Sequence, residues 1–280
     1  MNYFKFPKSE TVPSKVDRLI NVHLSKSIDI KESNDTSNKN DCFLIGGPIS
    51  SLNVLNRLDK SPASYINIDK GYFRNRKSNS HWRLTLNNLQ QQTILDVPDD
   101  RIKDFNIDIK PWQSDGEYII ILAPNPKPLL YYTGSEDVLA WCLETKAKLL
   151  EHTDRKVFIR FKEPAKHRGK DPLGKYLDKC HAIVTLQSVG CIETITAGIP
   201  TLNLAPSCLN GLYKSNLNMI ENKEQAQNLT SLDKFLIALL YQEEFKAGMK
   251  TSVEVLRPAF EQAYPKALKQ YNNIKTGGIK

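Results

Sequence analysis

The segment HAIVTLQSVGCIETITAGIPTLNLA, residues 181–205, is the part of the sequence that decides the fold. It opens with a short apolar run, residues 181–186, which has the length and composition of a buried strand. Ser188 stands at the position of a helix N-cap, and Gly198 ends the short helix that follows. Residues 201–205 then read as a second buried strand. A strand, a helix and a strand with so little chain between them predict a parallel α/β sheet.

The turn between the first strand and the helix is a candidate binding site for an anion. The backbone N–H groups of Ser188, Val189 and Gly190 are expected to point out of the helix start, beside the positive end of its dipole. Such a site takes up a phosphate, and a glycine lets the phosphate approach the backbone closely. Glu193 lies five residues after Ser188, where a carboxylate can accept hydrogen bonds from a ribose diol. The alternative is an ordinary capped helix with a solvated Glu193.

The segment SVGCIETITAGIP, residues 188–200, resembles the donor-binding signature of nucleotide-sugar enzymes of the GT-B type. In that signature a Ser or Thr and the helix N-terminus hold the diphosphate, a Glu holds the ribose, and a Gly-x-Pro follows. The resemblance covers residues 116–205 well and the N-terminal half only loosely. It implies two Rossmann-like domains that face a central cleft, with a nucleotide sugar, expected to be a UDP-sugar, bound by the second domain.

A second resemblance lies in the order of three motifs along the chain. Asp-Lys-Gly-Tyr-Phe at 69–73 is followed by Arg-Phe-Lys at 160–162 and then by residues 188–200. This order is similar to a glycosyltransferase-like family found in phage genomes. The resemblance implies the transfer of a sugar to an acceptor hydroxyl, and it suggests a hydroxymethylated base of phage DNA as the acceptor.

Composition limits the other possibilities. The chain has 280 residues, 40% of them hydrophobic, which suits two small domains. We expect an acceptor-side domain at 1–115, a donor domain at 116–228, and helices packing across both at 229–280. The net charge of +8 fits a polyanionic partner such as DNA. The five scattered cysteines predict reduced, buried thiols, and the lack of a membrane-spanning run or a leader predicts a soluble protein of the cytoplasm.

Asp69 is the candidate catalytic base. The run SYINID, residues 64–69, reads as a short strand and delivers Asp69 at its carboxyl end, where ligands of open α/β sheets gather. A carboxylate there can withdraw the proton of an acceptor hydroxyl, and His81 is the second candidate for that role. The alternative is that Asp69 caps the following turn.

A basic stretch follows Asp69 and is the candidate acceptor or DNA-binding surface. Basic side chains with interleaved aromatic rings suit a phosphate backbone and a stacked base. The residues assigned to this surface are Tyr72, Arg74, Arg76, Lys77 and Trp82. A solvated basic loop is the alternative.

In the second domain, Arg160 and Lys162 are the candidate partners of the departing diphosphate. Residues 156–161 read as a strand, and side chains alternate along a strand, so these two cations are expected to share one face at its carboxyl end. There they could neutralise the leaving group without a metal, and the sequence contains no Asp-x-Asp triplet. The alternative is a pair of solvated surface cations.

Together these features predict a metal-independent glycosyltransferase. Two other interpretations stay open on the sequence alone. The first is a non-catalytic protein that binds nucleic acid or another partner and has kept the fold without turnover. The second is a polysaccharide glycosyltransferase or a sugar-nucleotide epimerase of the same fold.

Overall fold

The structure is a computed structural model, and it divides into two compact units, Met1–Arg101 with Lys234–Lys280, and Ile102–Asp233. Among the described residues each unit holds one β-sheet and at least one helix, so the chain is a mixed α/β protein, as predicted. The structure describes residues 2–7, 29–46, 48–70, 72, 82–90, 110–113, 115–163, 171–211, 216–221 and 243–244.

Strands and helices are numbered in chain order within these residues. The strands are β1 (Asn2–Lys5), β2 (Ile30–Glu32), β3 (Asp41–Gly46), β4 (Ser64–Lys70), β5 (Trp82–Leu86), β6 (Tyr118–Leu122), β7 (Lys156–Arg160), β8 (Cys180–Thr185), β9 (Thr201–Asn203) and β10 (Glu243–Glu244). The α-helices are α1 (Pro48–Leu58), α2 (Pro126–Thr133), α3 (Val138–Leu150) and α4 (Gly190–Thr196).

The first unit is built on a six-stranded sheet in the order β10-β5-β4-β3-β1-β2. Strands β1 to β4 pair in parallel, whereas β5 is antiparallel to both β4 and β10. All six residues of β3 are buried, as expected for an apolar strand covered on both faces. The ring of Phe43 stacks on Phe4 and Phe6, with centroids 5.6 and 4.6 Å apart. The carboxyl end of β4, which carries Asp69, therefore belongs to a well-packed sheet.

The second unit is built on a parallel four-stranded sheet in the order β7-β6-β8-β9. One face packs on α3 through Cys142 and Leu149, and the other is covered by Leu177 and Ile199. The prediction from residues 181–205 is confirmed, since β8, α4 and β9 follow one another in a parallel sheet. The second strand is shorter than predicted, because it ends at Asn203.

Helix α4 ends in a glycine turn, as predicted. Gly198 has a φ of +79°, and its N–H donates to Ile195 O at 3.0 Å while the N–H of Ile199 donates to Thr194 O at 2.9 Å. This pair of bonds is a Schellman motif, which satisfies the last carbonyls of a helix.

Residues 110–113 run across the end of α4. The N–H of Lys110 donates to Thr196 O at 2.8 Å, and that of Gln113 donates to Gly198 O at 2.9 Å. A Cβ at position 198 would overlap the carbonyl of Pro111. This part of the chain is therefore packed on the second unit because Gly198 has no side chain in its path.

All five cysteines are buried thiols that form no disulfide, as predicted. Burial raises the pKa of Cys42 and of Cys180 to about 12. The thiols of Cys191 and Cys208 lie 3.7 Å apart in the core behind α4. Nowhere in the described ranges does a helix reach the length and apolar character that crossing a membrane requires.

Candidate functional site

The turn between β8 and α4 lies at the carboxyl edge of the second sheet, as the anion-site hypothesis requires. The helix is capped at Val189, so the predicted N-cap at Ser188 is wrong by one residue. The Ser188 hydroxyl nevertheless bonds to the helix start, because it accepts the N–H of Gly190 at 3.1 Å. In turn, the N–H of Ser188 donates to Thr185 Oγ1 at 3.4 Å.

Two of the three N–H groups that were expected to face an anion are thus bonded within the turn. The next two, of Cys191 and Ile192, donate to Ser188 O and Val189 O, each at 3.1 Å. The N–H of Val189 has no acceptor among the described residues. The turn therefore offers one backbone donor directly, and it offers that of Gly190 only if the Ser188 hydroxyl rotates away.

Glu193 occupies the first turn of α4, and its side chain is exposed. A carboxylate at this position is stabilised by the positive end of the helix dipole. The buried residues of α4, Cys191, Ile192, Thr194 and Ile195, hold the helix against the sheet. Glu193 is therefore presented outward from a fixed helix, on the turn that follows β8.

Arg160 ends β7 at the same edge of the sheet. Leu122 of β6 pairs with Arg160 on one side and with Thr185 on the other. The ends of β7 and β8 are thus separated by one strand, about 10 Å apart across the sheet. Arg160 and the turn at Ser188 are close enough to serve one extended ligand.

Arg160 already has an anionic partner. Its Nη2 bonds to the carbonyl O of Asp171 and lies 3.5 Å from Asp171 Oδ2, and its guanidinium stands 5.7 Å from the ring of Tyr176. A hydrogen bond from the Tyr176 hydroxyl, with help from Lys175 and Arg160, lowers the pKa of Asp171. The charge of Arg160 is therefore balanced within the chain, a contact that sequence analysis did not foresee.

Lys162 is exposed and lies two residues beyond the end of β7. The predicted strand extended to residue 161, and the expectation that Lys162 and Arg160 share a face depended on that extension. Because β7 ends at Arg160, strand alternation does not place Lys162.

In the first unit, the carboxyl end of β4 brings Asp69 opposite Arg83 of β5. Arg83 Nη2 donates to Asp69 Oδ2 at 2.8 Å, and the two side chains are 4% and 41% exposed respectively. The guanidinium of Arg83 also lies over the ring of Tyr72, 4.8 Å from its centroid. Asp69 is therefore the ion-pair partner of a buried arginine as well as a partly accessible carboxylate.

The predicted acceptor surface is described only at its start. Tyr72 is 5% exposed, because its ring packs against Arg83 rather than standing open for a stacked base. Trp82 begins β5, and its side chain lies outside the described part of the chain. Three other residues of the predicted acceptor surface also lie outside the described residues: Arg74, Arg76 and Lys77. The same holds for His81, the second candidate for the catalytic base.

Three residues near these sites escaped sequence analysis. Thr185 ends β8 and fixes the turn at Ser188, a role that a strand-terminal threonine before a short helix could have suggested. Asp171 pairs with Arg160 across eleven positions of the chain, and Arg83 pairs with Asp69 across fourteen. No local spacing identifies either pair. Within the described residues, no group of three or more His, Cys, Asp or Glu side chains is arranged to hold a metal ion.

No protein-family model matches the sequence, and no curated protein matches it. Among solved structures, the chain is similar to KpsC of Thermosulfurimonas dismutans, a beta Kdo 2,7 transferase. The two are 9% identical, the match covers 92% of this chain and 100% of that chain, and the TM-score is 0.48. At this identity and TM-score the similarity assigns no activity to the chain.

Proposed function

We propose that the protein transfers a sugar from a nucleotide-sugar donor to an acceptor hydroxyl. The observation that carries the proposal is the tight turn from β8 into α4, which places the Val189 N–H at the helix start and the exposed Glu193 in its first turn, at the carboxyl edge of a parallel sheet. Ligands of open α/β sheets bind at this edge. The resemblance of residues 188–200 to a donor-binding signature assigns the same positions to the nucleotide sugar.

In this proposal the donor, a UDP-sugar, lies along the carboxyl edge of the second sheet. Its diphosphate meets the turn at Ser188, Val189 and Gly190, and its ribose hydroxyls donate to Glu193. Arg160 stands one strand away and balances the diphosphate charge by exchanging Asp171 for the ligand. Lys162 adds a second positive charge, so that side chains carry the role that a metal ion has in other transferases.

The proposed reaction is a displacement at the anomeric carbon of the sugar. The acceptor oxygen forms a bond to this carbon while the bond from the carbon to the diphosphate oxygen breaks. Asp69 takes the proton of the acceptor hydroxyl, which makes the oxygen a better nucleophile. The negative charge that develops on the leaving diphosphate is stabilised by Arg160, Lys162 and the backbone N–H of Val189.

For the acceptor we propose a hydroxymethylated base of DNA. The net charge of +8 favours association with a polyanion. The basic stretch around Arg74, Arg76 and Lys77, with Trp82, follows Asp69 closely in the chain. Cations at these positions would hold the phosphate backbone near the proposed base. The two-domain arrangement about a central cleft, which would bring donor and acceptor together, stays a prediction.

Replacing Glu193 by alanine is expected to weaken nucleotide-sugar binding by about 1.5–3 kcal/mol, the range for a hydrogen bond to a charged group. A thermal-shift screen of nucleotide sugars first identifies the donor, and titration calorimetry then compares the wild type with Glu193→Ala. Glu151→Ala is the matched control, because Glu151 is an exposed carboxylate of the same unit that caps the end of α3 and not the turn at Ser188. Equal affinity of Glu193→Ala and wild type would remove Glu193 from the site.

If the basic stretch holds a phosphate backbone, affinity for duplex DNA falls with salt because bound phosphates release counterions. The triple variant Arg74→Ala, Arg76→Ala, Lys77→Ala is expected to flatten the slope of log affinity against log salt by about 0.9 for each lost contact. Fluorescence anisotropy with a labelled duplex at several salt concentrations measures the slope.

The control for this experiment removes the same charge from the second unit. It carries alanine at three exposed lysines, Lys127, Lys148 and Lys156. If the control flattens the slope as much as the test variant does, DNA responds to net charge alone and the assignment of the basic stretch is wrong.

A protein that binds the donor without turnover is the second candidate. The observation that favours it is the pairing of Arg160 with Asp171, which occupies the cation needed by the leaving group. Tight donor binding with no release of nucleotide diphosphate, over all acceptors tried, would support this candidate against the transferase.

A further inference from the structure

A cluster of charged side chains around one buried histidine lies at the amino edge of the second sheet, the edge opposite to the proposed donor site. His181, the second residue of β8, is at its centre and is 1% exposed. Asp115 reaches it from the segment before β6, and Glu221 reaches it from residues 216–221. Arg155 lies beside both carboxylates, just before β7. The proposed function uses none of these residues.

Both ring nitrogens of His181 face oxygen atoms that can only accept hydrogen bonds. Nε2 lies 3.1 Å from the carbonyl O of Ile220 and 3.4 Å from Glu221 Oε2. Nδ1 lies 3.6 Å from Asp115 Oδ1, which is an ion-pair distance and longer than a hydrogen bond. A neutral imidazole carries one N–H and would turn a lone pair towards an acceptor on the other side. The imidazolium donates from both nitrogens, so this environment is complementary to protonated His181.

The charges of the cluster also favour the protonated form of the His181 ring. Arg155 Nη2 lies 2.8 Å from Asp115 Oδ1, and its Nε lies 3.0 Å from Glu221 Oε1. One guanidinium and two carboxylates leave one negative charge in excess, and a proton on His181 cancels it. The buried ring of His181 lies near both carboxylates, and a nearby opposite charge favours the charged form of an imidazole, so the protonated, balanced form is favoured.

The cluster joins the two stretches of chain that lead into and out of the second sheet. The carbonyl O of Gly116, where the chain enters β6, accepts a hydrogen bond from Arg155. Gly116 runs so close to β8 that a Cβ there would overlap the backbone N of His181. Glu221 follows the short 3₁₀-helix Leu217–Met219, and Thr153 also donates to its carboxylate.

We propose that protonated His181 holds residues 216–221 and residues 115–116 at the amino edge of the sheet. We call this pH-dependent arrangement the clasp. When His181 is protonated, it donates to Ile220 O and faces Glu221 on one side, and its charge attracts Asp115 on the other. When it loses the proton, its attraction for both carboxylates is lost and the cluster keeps an excess negative charge. The clasp therefore loosens as the pH rises.

The cluster stabilises the fold over a range of pH that has a limit on each side. A protonated His181 contributes stability that is fully present at low pH and is lost as the pH rises through the titration of the folded protein. Burial by itself would raise the pKa of Glu221, but hydrogen bonds from Thr153 and Arg155 and the charges of His181 and Arg155 outweigh it and lower that pKa. Glu221 thus keeps its charge into the acidic range, and its contribution is lost only as the pH falls through that lowered value.

Two measurements on the 280-residue chain test the clasp between about pH 5.5 and about pH 8.5, the range in which histidines titrate. NMR of the imidazole C–H signals, assigned with His181→Gln, follows the protonation of His181. Amide hydrogen exchange, expressed as protection relative to the intrinsic rate at each pH, follows the N–H groups of Met219 and Ile220. We expect protection to fall as His181 deprotonates, about tenfold for each pH unit by which its midpoint exceeds that of the unfolded chain.

His181→Gln should remove this pH dependence, and His152→Gln, which changes an exposed histidine at the end of α3, should leave it intact. A His181 that is neutral throughout the range, or protection that rises with pH, would overturn the clasp, because a buried neutral histidine destabilises at low pH. If His181→Gln does not fold, Asp115→Asn decides, since Asp115 is 73% exposed. It should shift the His181 midpoint to lower pH, and an unchanged midpoint would contradict the proposal.

Discussion

Gly198→Ala is expected to lower the free energy of unfolding of the second unit by about 3–4 kcal/mol. The left-handed φ of +79° costs a residue with a Cβ about 1–2 kcal/mol. The new Cβ would also overlap the carbonyl of Pro111, a backbone atom that cannot turn aside. Displacing residues 110–113 then loses the bonds from Lys110 to Thr196 and from Gln113 to Gly198, about 1 kcal/mol each.

Two other glycines allow the cost of backbone strain to be measured separately from the cost of the overlap with Pro111, by chemical denaturation. Gly134 has nearly the same φ, +77°, but nothing lies within 4 Å of its Cβ position, so Gly134→Ala carries the backbone strain alone. Gly174 has neither the positive φ nor a neighbour within 4 Å, so Gly174→Ala should be close to neutral. If Gly198→Ala and Gly134→Ala destabilise equally, residues 110–113 are not held across α4 as described.

Asp69→Asn is expected to lower the rate of sugar transfer by about two to four orders of magnitude, the usual contribution of a general base. Asparagine keeps the shape of the side chain but cannot accept the proton of the acceptor hydroxyl. Donor binding should be unchanged, because the proposed donor residues belong to the other unit. Single-turnover assays with the donor from the thermal-shift screen measure the rate, and calorimetry measures the affinity.

The ion pair with Arg83 adds a stability cost to this variant. Losing one partner of a buried pair costs about 3–5 kcal/mol, and an exposed pair contributes about 0.2–1 kcal/mol. Since Arg83 is buried and Asp69 is 41% exposed, the cost should lie between these limits. The transfer rate must therefore be measured per folded molecule, at a temperature where circular dichroism shows the variant to be native.

Asp41→Asn is the control for that cost. Asp41 is a buried carboxylate of the same unit that accepts hydrogen bonds from Asn2 and Asn38, far along the sheet from the carboxyl end of β4. It should lower stability without lowering the transfer rate per folded molecule. If Asp69→Asn behaves in the same way, Asp69 is only the partner of Arg83 and the base is another group.

Much of the second unit could be predicted from residues 181–205. An apolar strand, a short helix closed by Gly198 and a second apolar strand have a local cause, because each depends on residues within a few positions of one another. The burial of the five cysteines followed in the same way from their apolar surroundings. The exact start of α4 could not be predicted in this way. The hydroxyls of Thr185 and Ser188 each accept a backbone N–H in the turn, and the helix is capped at Val189.

The sequence by itself therefore determined the kind of sheet, the strand-to-helix turn and the position of Glu193, because short-range patterns specify strands, helices and caps. Only the tertiary structure decided which charges meet. Asp69 is held by Arg83, Arg160 by Asp171, and His181 by Asp115 and Glu221. These partners are distant in the chain, and the order of the strands and the paths of the connecting segments bring them together. A pattern of residue types carries no record of those paths, so the pairing of charges had to come from the fold.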